Sequence, residues 1–305
     1  MRIGLVSSKA GHPRSTVNDV VDEIRAIEAE GFALVSVPHI FGLDAIGTLT
    51  VVGTRTERIE LVTGVVPTPP RHPVALAQQA LTAQLTANGR FTLGIGLSHR
   101  IVIENMLGLS YEGVADQMRE YLEVLMPLLE GRPVAFKGEH YRVQIGLQVP
   151  ALRVPVLVAA LGPRMLRLTG ERADGTITWM TGPKTLDAHV VPTLFSAAKD
   201  AGRPQPRVAV SLPIALTSNP EAARQTASRL FQIYGTLPSY RAMLDREGAA
   251  LPGDVAIVGD EATLRAGLRR CAEIGVSDFA ASLFPADEGC EARTREFLQS
   301  ELGNV

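Results

Sequence analysis

Cysteine, lysine and tryptophan are scarce in this chain. Cys271 and Cys290 are the only two cysteines, too few for a disulfide framework and without the spacing of a metal knuckle. Cys271 falls on a helical apolar pattern, the usual setting of an inert buried thiol. Lysine occurs only at positions 9, 137, 184 and 199, and neither Lys9 nor Lys184 stands directly at a strand end, which disfavours Schiff-base chemistry. No apolar run approaches the length of a membrane span. The opening Met1-Arg-Ile-Gly-Leu-Val-Ser-Ser8 turns polar too soon for a signal peptide, so the expected compartment is the cytoplasm. Charge of one sign is lacking too, since 30 Lys and Arg nearly cancel 32 Asp and Glu. Without a broad positive field nucleic acid is not an expected partner, and a small molecule is.

What is present is ample core material, 46% apolar against 20% charged residues, which implies a globular chain without disordered segments. Short β-branched runs recur, each followed by a polar or Gly/Pro turn and an amphipathic helical stretch, the pattern of βα units. Eight strands are expected, beginning near Ile3, Ala33, Ile59, Phe91, Val154, Gly175, Arg207 and Ser277. An open doubly wound sheet alternates in the same way. The count of eight and the lack of a Gly-x-Gly-x-x-Gly turn after the first strand favour a closed (β/α)8 TIM barrel, one domain over residues 1–305. Insertions are expected after strands 4 and 7. The first carries a helix from about Gly113 to Glu130 and a hairpin over 134–143 turning at Lys137-Gly138. The second, from Pro220 to the Val258-Gly-Asp260 start of the eighth helix, is a candidate lid or oligomer contact. Asn18-Asp19 is read as opening the first helix, with Gly31 ending it and Gly89 ending the third.

In such barrels chemistry comes from the loops after the strands. His12, His39, His72 and His99 each fall just past one of the first four strands, while His140 and His189 fall elsewhere. His72, at the start of the third helix, reads as structural; His39 and His99 stand closest to their strand ends. A histidine-rich rim suggests a metal, but there is no His-x-His after strand one and no acidic ligand in Ala280-Ala-Ser-Leu-Phe284, so no metal is expected. Two glycine-rich turns stand out. Ala159-Ala-Leu-Gly-Pro163 precedes a helix whose exposed amides suit a phosphate. Gly94-Ile-Gly96 removes side chains where a flat ring would approach the backbone. Strand three leaves through the stiff Leu61-Val-Thr-Gly-Val-Val-Pro-Thr-Pro-Pro-Arg-His-Pro73. Trp179, the single tryptophan, reads equally well as a substrate platform or as core filling.

At Thr63-Gly-Val-Val-Pro67 with the following Arg71-His-Pro73, Gly89-Arg-Phe-Thr-Leu-Gly-Ile-Gly96, Ala159-Ala-Leu-Gly-Pro163, Ala173-Asp-Gly-Thr-Ile177 and Val258-Gly-Asp260, the chain resembles the bacterial luciferase-like superfamily, within it the branch that uses coenzyme F420, an 8-hydroxy-5-deazaflavin. The resemblance covers nearly the whole chain. It implies an oxidoreductase passing a hydride between F420 and a small organic substrate, and a homodimer. It also implies a non-prolyl cis peptide between Gly64 and Val65 behind the ring. Gly96, Leu97 and Ser98 would line the ring or its tail, and Ala159, Ala160, Gly162 and Pro163 the phosphate side. His39 matches a histidine beside the ring, and the acceptor would lie among the ring, His39, His99 and Trp179, with Phe41 in the same pocket. The sequence departs from the sugar-phosphate dehydrogenase of this branch, with His99 where a catalytic glutamate stands and Pro38 in place of an acidic residue, which argues against that substrate. An FMN-dependent monooxygenase is the nearest alternative, and a non-catalytic cofactor-binding or partner subunit the second. Arg14, Arg71, Arg100 and Arg164 are candidates for an acidic polyglutamate tail.

Overall fold

Most of the strand segments are apolar without alternation, as expected of strands covered on both faces. In the computed structural model, which describes residues 1–304, they form eight parallel strands: β1 Arg2–Val6, β2 Leu34–Val37, β3 Glu60–Thr63, β4 Phe91–Gly96, β5 Val156–Val158, β6 Gly175–Trp179, β7 Arg207–Leu216 and β8 Asp278–Leu283. Each pairs with its neighbour, and β8 returns to β1 in the register Arg2↔Asp278 to Leu5↔Ala281, closing the barrel. The expected closed barrel is therefore found, and all eight predicted strand starts fall within two residues of the observed ones.

Leu34, Val62, Leu157, Ile177, Ala209 and Ala280 pack together as one cluster, with Val6, Val65 and Ala159 against it. At the N-terminal end, the Arg207 guanidinium bonds Glu60 at 2.9 Å and Asp278 at 3.1 Å, and Arg2 adds a second cation. Burial pushes the Glu60 carboxyl up, but Arg207, Thr92 and Arg2 outweigh it and hold the group below its usual range. This charged end faces away from the strand C-termini, leaving that end for function.

The outer helices are α1 Val17–Ala29, α2 Ala45–Gly53, α3 Pro73–Thr86, α4 Val114–Leu129, α5 Pro163–Arg172, α6 Val191–Asp200, α7 Pro220–Leu230, α8 Pro238–Glu247, α9 Glu261–Ile274 and α10 Cys290–Ser300. The first is opened by Thr16 rather than Asn18-Asp19, because Thr16 and Asp19 cap each other's backbone amides in a capping box. In the insertion after β4, Lys137 pairs with Arg142, so the hairpin turns over residues 138–141 and not at Lys137-Gly138. The buried Glu120 carboxylate of α4 sets that turn by accepting the amides of Glu139, His140 and Tyr141 at 2.8–3.1 Å. A π-helical segment, Ile101–Met106, precedes α4 and was not expected from the sequence.

The insertion after β7 runs through α7, a short turn Gln232–Gly235 and α8, then rejoins the sheet where Ile257–Gly259 pairs with Ile214–Leu216. Glu247 of α8 ties it down by accepting the amides of Lys184 and Thr185 after β6. Among the described residues no helix is long and apolar enough to cross a membrane. Cys271 is buried, and burial pushes its thiol up to about 12, which leaves it inert at neutral pH.

Candidate active site at the strand C-termini

The exit of β3 forms one wall. The peptide joining Gly64 and Val65 is cis, and the chain resumes pairing with β4 at Val66↔Ile95 and Pro67↔Gly96. Thr63 pins the kink: its Oγ1 donates to the Gly94 carbonyl at 2.9 Å and accepts from the Gly94 amide at 2.8 Å. A Cβ on Gly94 would stand 1.9 Å from the Thr63 carbonyl oxygen, and one on Gly96 would stand 2.9 Å from Val65 Cγ2 and 3.1 Å from Ala159 Cβ. The two glycines of β4 therefore make room for the kinked neighbouring strand. Their bareness is thus already required by the packing of the protein itself; Gly64 and Val65 are half-buried on this wall, and Gly96 is buried behind them.

His39, just past β2, is held by two neighbours. Its Nδ1 accepts the amide of Ala45 at 3.1 Å, and an Arg71 guanidinium nitrogen lies 3.1 Å from Nε2. The Ala45 amide opens α2 and is buried, so it needs Nδ1 as an acceptor, whereas Arg71 has Asp44 at 3.0 Å as an alternative partner. The ring proton is thereby assigned to Nε2. With that tautomer Nε2–H and the Arg71 guanidinium are two adjacent donors, their nitrogens 3.1 Å apart. Burial and the Arg71 charge hold the His39 imidazole below its ordinary value, against the weaker opposing pull of Asp44, so it is neutral at pH 7.

His99 follows β4 after Ser98, which adopts a left-handed backbone at φ 59 and whose carbonyl accepts the Tyr111 phenol at 2.9 Å. Burial alone lowers the His99 imidazole. Its ring lies 5.6 Å from that of Tyr240, which begins an unbroken series of aromatic contacts: Tyr240 to Tyr234 at 4.9 Å, Tyr234 to Trp179 at 5.7 Å, Trp179 to Phe231 at 5.4 Å and Phe231 to Phe284 at 6.3 Å. Phe231, Tyr234 and Tyr240 all come from the insertion after β7. They close over residues at the ends of β4, β6 and β8, and each such pair contributes about 0.5–1.5 kcal/mol beyond area burial. The insertion thus covers this end of the barrel. Burial raises the Tyr240 phenol, with Tyr234 adding to the effect, so Tyr240 stays protonated.

Past β5 the chain reaches α5 through Ala159, Ala160, Leu161 and Gly162. Ala159 is tied to β4 through its amide to the Ile95 carbonyl at 2.8 Å, and Ala160 is buried. Gly162 and Pro163 are exposed, and among the described residues no side chain caps the helix and a Cβ on Gly162 would meet nothing within 4 Å. Open space thus lies over a helix N-terminus whose amides have no protein cap, and Arg164 in the first turn pairs with Asp116 at 2.5 Å.

Other predicted residues stand apart. Phe41 is 71% exposed on the loop after β2 and touches none of the aromatic series. Leu97 is half-buried against the core. His72 caps α3 through Nδ1, taking the Val74 amide at 3.3 Å, as its structural reading implies. Of the arginines proposed for an acidic tail, Arg71, Arg100 and Arg164 are each paired with a carboxylate, and only Arg14 has no ion pair among the described residues. Among the described residues no cluster of His, Cys, Asp or Glu is arranged to hold a metal. A cavity of about 440 Å³ beside Arg167 and Asp200 and one of about 480 Å³ beside Asp22 and Arg58, between α1 and the loop before β3, are lined by none of the histidines. Sequence reasoning missed Phe231, Tyr234 and Tyr240, and it saw Arg71 only as a tail contact. No local motif marks these aromatics, because the fold brings them to the site from the far side of the barrel.

A profile of the luciferase-like monooxygenase family matches residues 1–278. The 5,10-methylenetetrahydromethanopterin reductase of Methanolobus tindarius is 27% identical over 300 residues, spanning 94% of this chain and 88% of that protein. A putative coenzyme F420-dependent oxidoreductase of Mycobacterium tuberculosis is 30% identical over 177 residues, or 53% of this chain and 51% of that protein. The solved coenzyme F420-dependent tetrahydromethanopterin reductase of Methanopyrus kandleri superposes with a TM-score of 0.83 at 22% identity, covering 99% of this chain and 98% of that one; at that identity the likeness shows the fold alone.

Proposed function

The chain belongs to the luciferase-like monooxygenase family, and from that premise we propose that it is an F420-dependent oxidoreductase passing a hydride between the coenzyme and a small organic substrate. The observation that carries the reading is the uncapped N-terminus of α5 beneath the open space at Gly162, at the same end of the barrel as the kinked β3 exit and both imidazoles. A phosphate fits the first feature and a flat ring the second. Gly64 and Val65 would back the ring, Gly162 and Pro163 would face the phosphate, and Ser98 would border the tail.

Bound there, F420 would supply hydride transfer at its ring carbon. The protein's own groups would do the rest. His39 Nε2–H and Arg71 would hold a substrate oxygen between them, fixing the reacting carbon against the ring. Neutral His99 would accept a proton when substrate is oxidised and, once protonated, return it in reduction. The insertion's aromatics around Trp179 would exclude water and form the acceptor's wall. Phe41 would join this pocket only if its loop folds inward.

A homodimer is part of the proposal. Helices α2 and α3 contain no Asp, Glu, Lys or Arg, unlike every other long helix on the barrel, yet they expose Val51 and Leu85. A second copy of the chain would cover that face.

Titration of oxidised F420 against FMN, followed by turnover of His39→Ala and His99→Ala, tests the reading. Ring binding should survive both substitutions while turnover falls. Preference for FMN with oxygen uptake would replace it by monooxygenation, and binding without turnover for any acceptor, with a co-purifying partner chain, by a non-catalytic subunit.

A further inference from the structure

His189 has no part in the site as described. It lies in the helical segment Leu186–Val190 after β6 and is buried, with Nε2 2.8 Å from the carbonyl oxygen of Leu161 in the loop after β5. A carbonyl only accepts, so the imidazole carries its proton on Nε2 and donates. The Leu161–Gly162 peptide is trans, and in a trans peptide the carbonyl and the following N–H point in opposite directions. Tying the Leu161 carbonyl inward therefore turns the Gly162 N–H away from the core. Among the described residues that N–H has no acceptor, and Pro163 after it has no N–H to offer, so Gly162 supplies the last loop amide before the helix.

The helix itself is held elsewhere: at Gly170, α5 packs so closely on α6 that a Cβ would stand 2.5 Å from the Leu194 carbonyl oxygen. Loss of the His189 bond thus frees the loop peptide without releasing α5. We propose that His189 is a positioning residue for the coenzyme's phosphate, aiming the Gly162 amide by anchoring the carbonyl before it. The inference rests on the F420 reading above.

The test compares two ligands on the full chain by their own fluorescence: F420, and 8-hydroxy-5-deazariboflavin, the same ring and ribityl chain without the phosphate and the tail beyond it. His189→Leu should weaken F420 about ten-fold, the value of one hydrogen bond to a charged group, and leave the ring-only ligand within about two-fold. His189→Gln, whose amide still donates, should recover most of the loss, and His189→Asn, too short to reach Leu161, should not. Thermal melts establish that each variant is folded, and the Gln and Asn pair carries the test if the Leu variant is not. Equal weakening of both ligands, undiminished F420 binding, or Gln no better than Asn would overturn the assignment. A wild-type chain that does not favour F420 over the bare ring would defeat the F420 reading at the phosphate and this inference with it. A wild type that discriminates, with variants that discriminate equally, would defeat this inference alone.

Discussion

Gly94→Ala asks whether the β3 wall is held open by the glycines of β4. The added Cβ would stand 1.9 Å from the Thr63 carbonyl oxygen and 3.1 Å from Val65 Cγ1, where comfortable contacts begin at about 3.5 Å. Thr63 has to retreat by more than roughly 1 Å to reach such a separation. It cannot do so freely, because Oγ1 is bonded to both the amide and the carbonyl of Gly94. Breaking those two bonds costs about 0.5–1.5 kcal/mol each, and overpacking a buried strand about 1–3 kcal/mol. The expected loss is about 2–6 kcal/mol. In a protein of this size about 1 kcal/mol moves the melting temperature by roughly 1.5 °C, so thermal denaturation should show a fall of several degrees. Ring affinity should fall with it, since Val65 moves with Thr63. Gly162→Ala makes the same chemical change where φ is −77 and no atom lies within 4 Å. Its stability should stay within about 0.5 kcal/mol of wild type, while F420 binding weakens because the methyl group enters the phosphate space. A Gly94→Ala protein that melts and binds coenzyme like wild type would refute the reasoning.

Both site imidazoles are held below their ordinary 6.5, His39 by burial and Arg71, His99 by burial. As pH falls through 6.5 the unfolded chain takes up protons first, so these two groups cost stability on the acid side and none above it. In the direction of substrate oxidation the acid limb of kcat/KM should correspondingly lie below pH 6.5; a limb above 6.5 that vanishes in His99→Ala would contradict the assignment. His99→Ala should lower kcat about 100-fold with the F420 Kd nearly unchanged, read by single-turnover absorbance, and a comparable rise in Kd would make the residue a binding group instead. Val51→Glu combined with Leu85→Glu should shift the chain from dimer to monomer in light scattering with its melting cooperative, and an unchanged dimer mass would place the interface elsewhere.

The barrel was legible because its signals are local and repeated. Most strands are apolar runs covered on both faces, and several helices carry their own boundary chemistry, such as Gly31 at φ 90 after α1 and Asp260 capping α9. Boundaries erred where two signals competed. Asn18-Asp19 looked like a cap, but Thr16 reaches Asp19 in both directions and takes the position. The hairpin turn moved because a buried carboxylate on another helix, Glu120, collects three of its amides. No reading of residues 134–143 alone contains that information.

The site was legible as a set of positions and much less so as chemistry. Spacing after the strands located His39, but which of its nitrogens bears the proton is decided by the amide of Ala45 and by Arg71, 32 positions further along the chain. The same holds for Gly94 and Gly96, which read as bare floor for a ligand until Thr63 and Val65 are seen to fill the space above them. The insertion after β7 is the extreme case, since Tyr240 reaches His99 from it although it joins β7 to β8. Residues at strand ends follow the repeat of the barrel, so a periodic pattern exposes them. Residues delivered by an insertion answer only to what they touch, and so the groups that would choose this protein's acceptor are the ones its sequence discloses least.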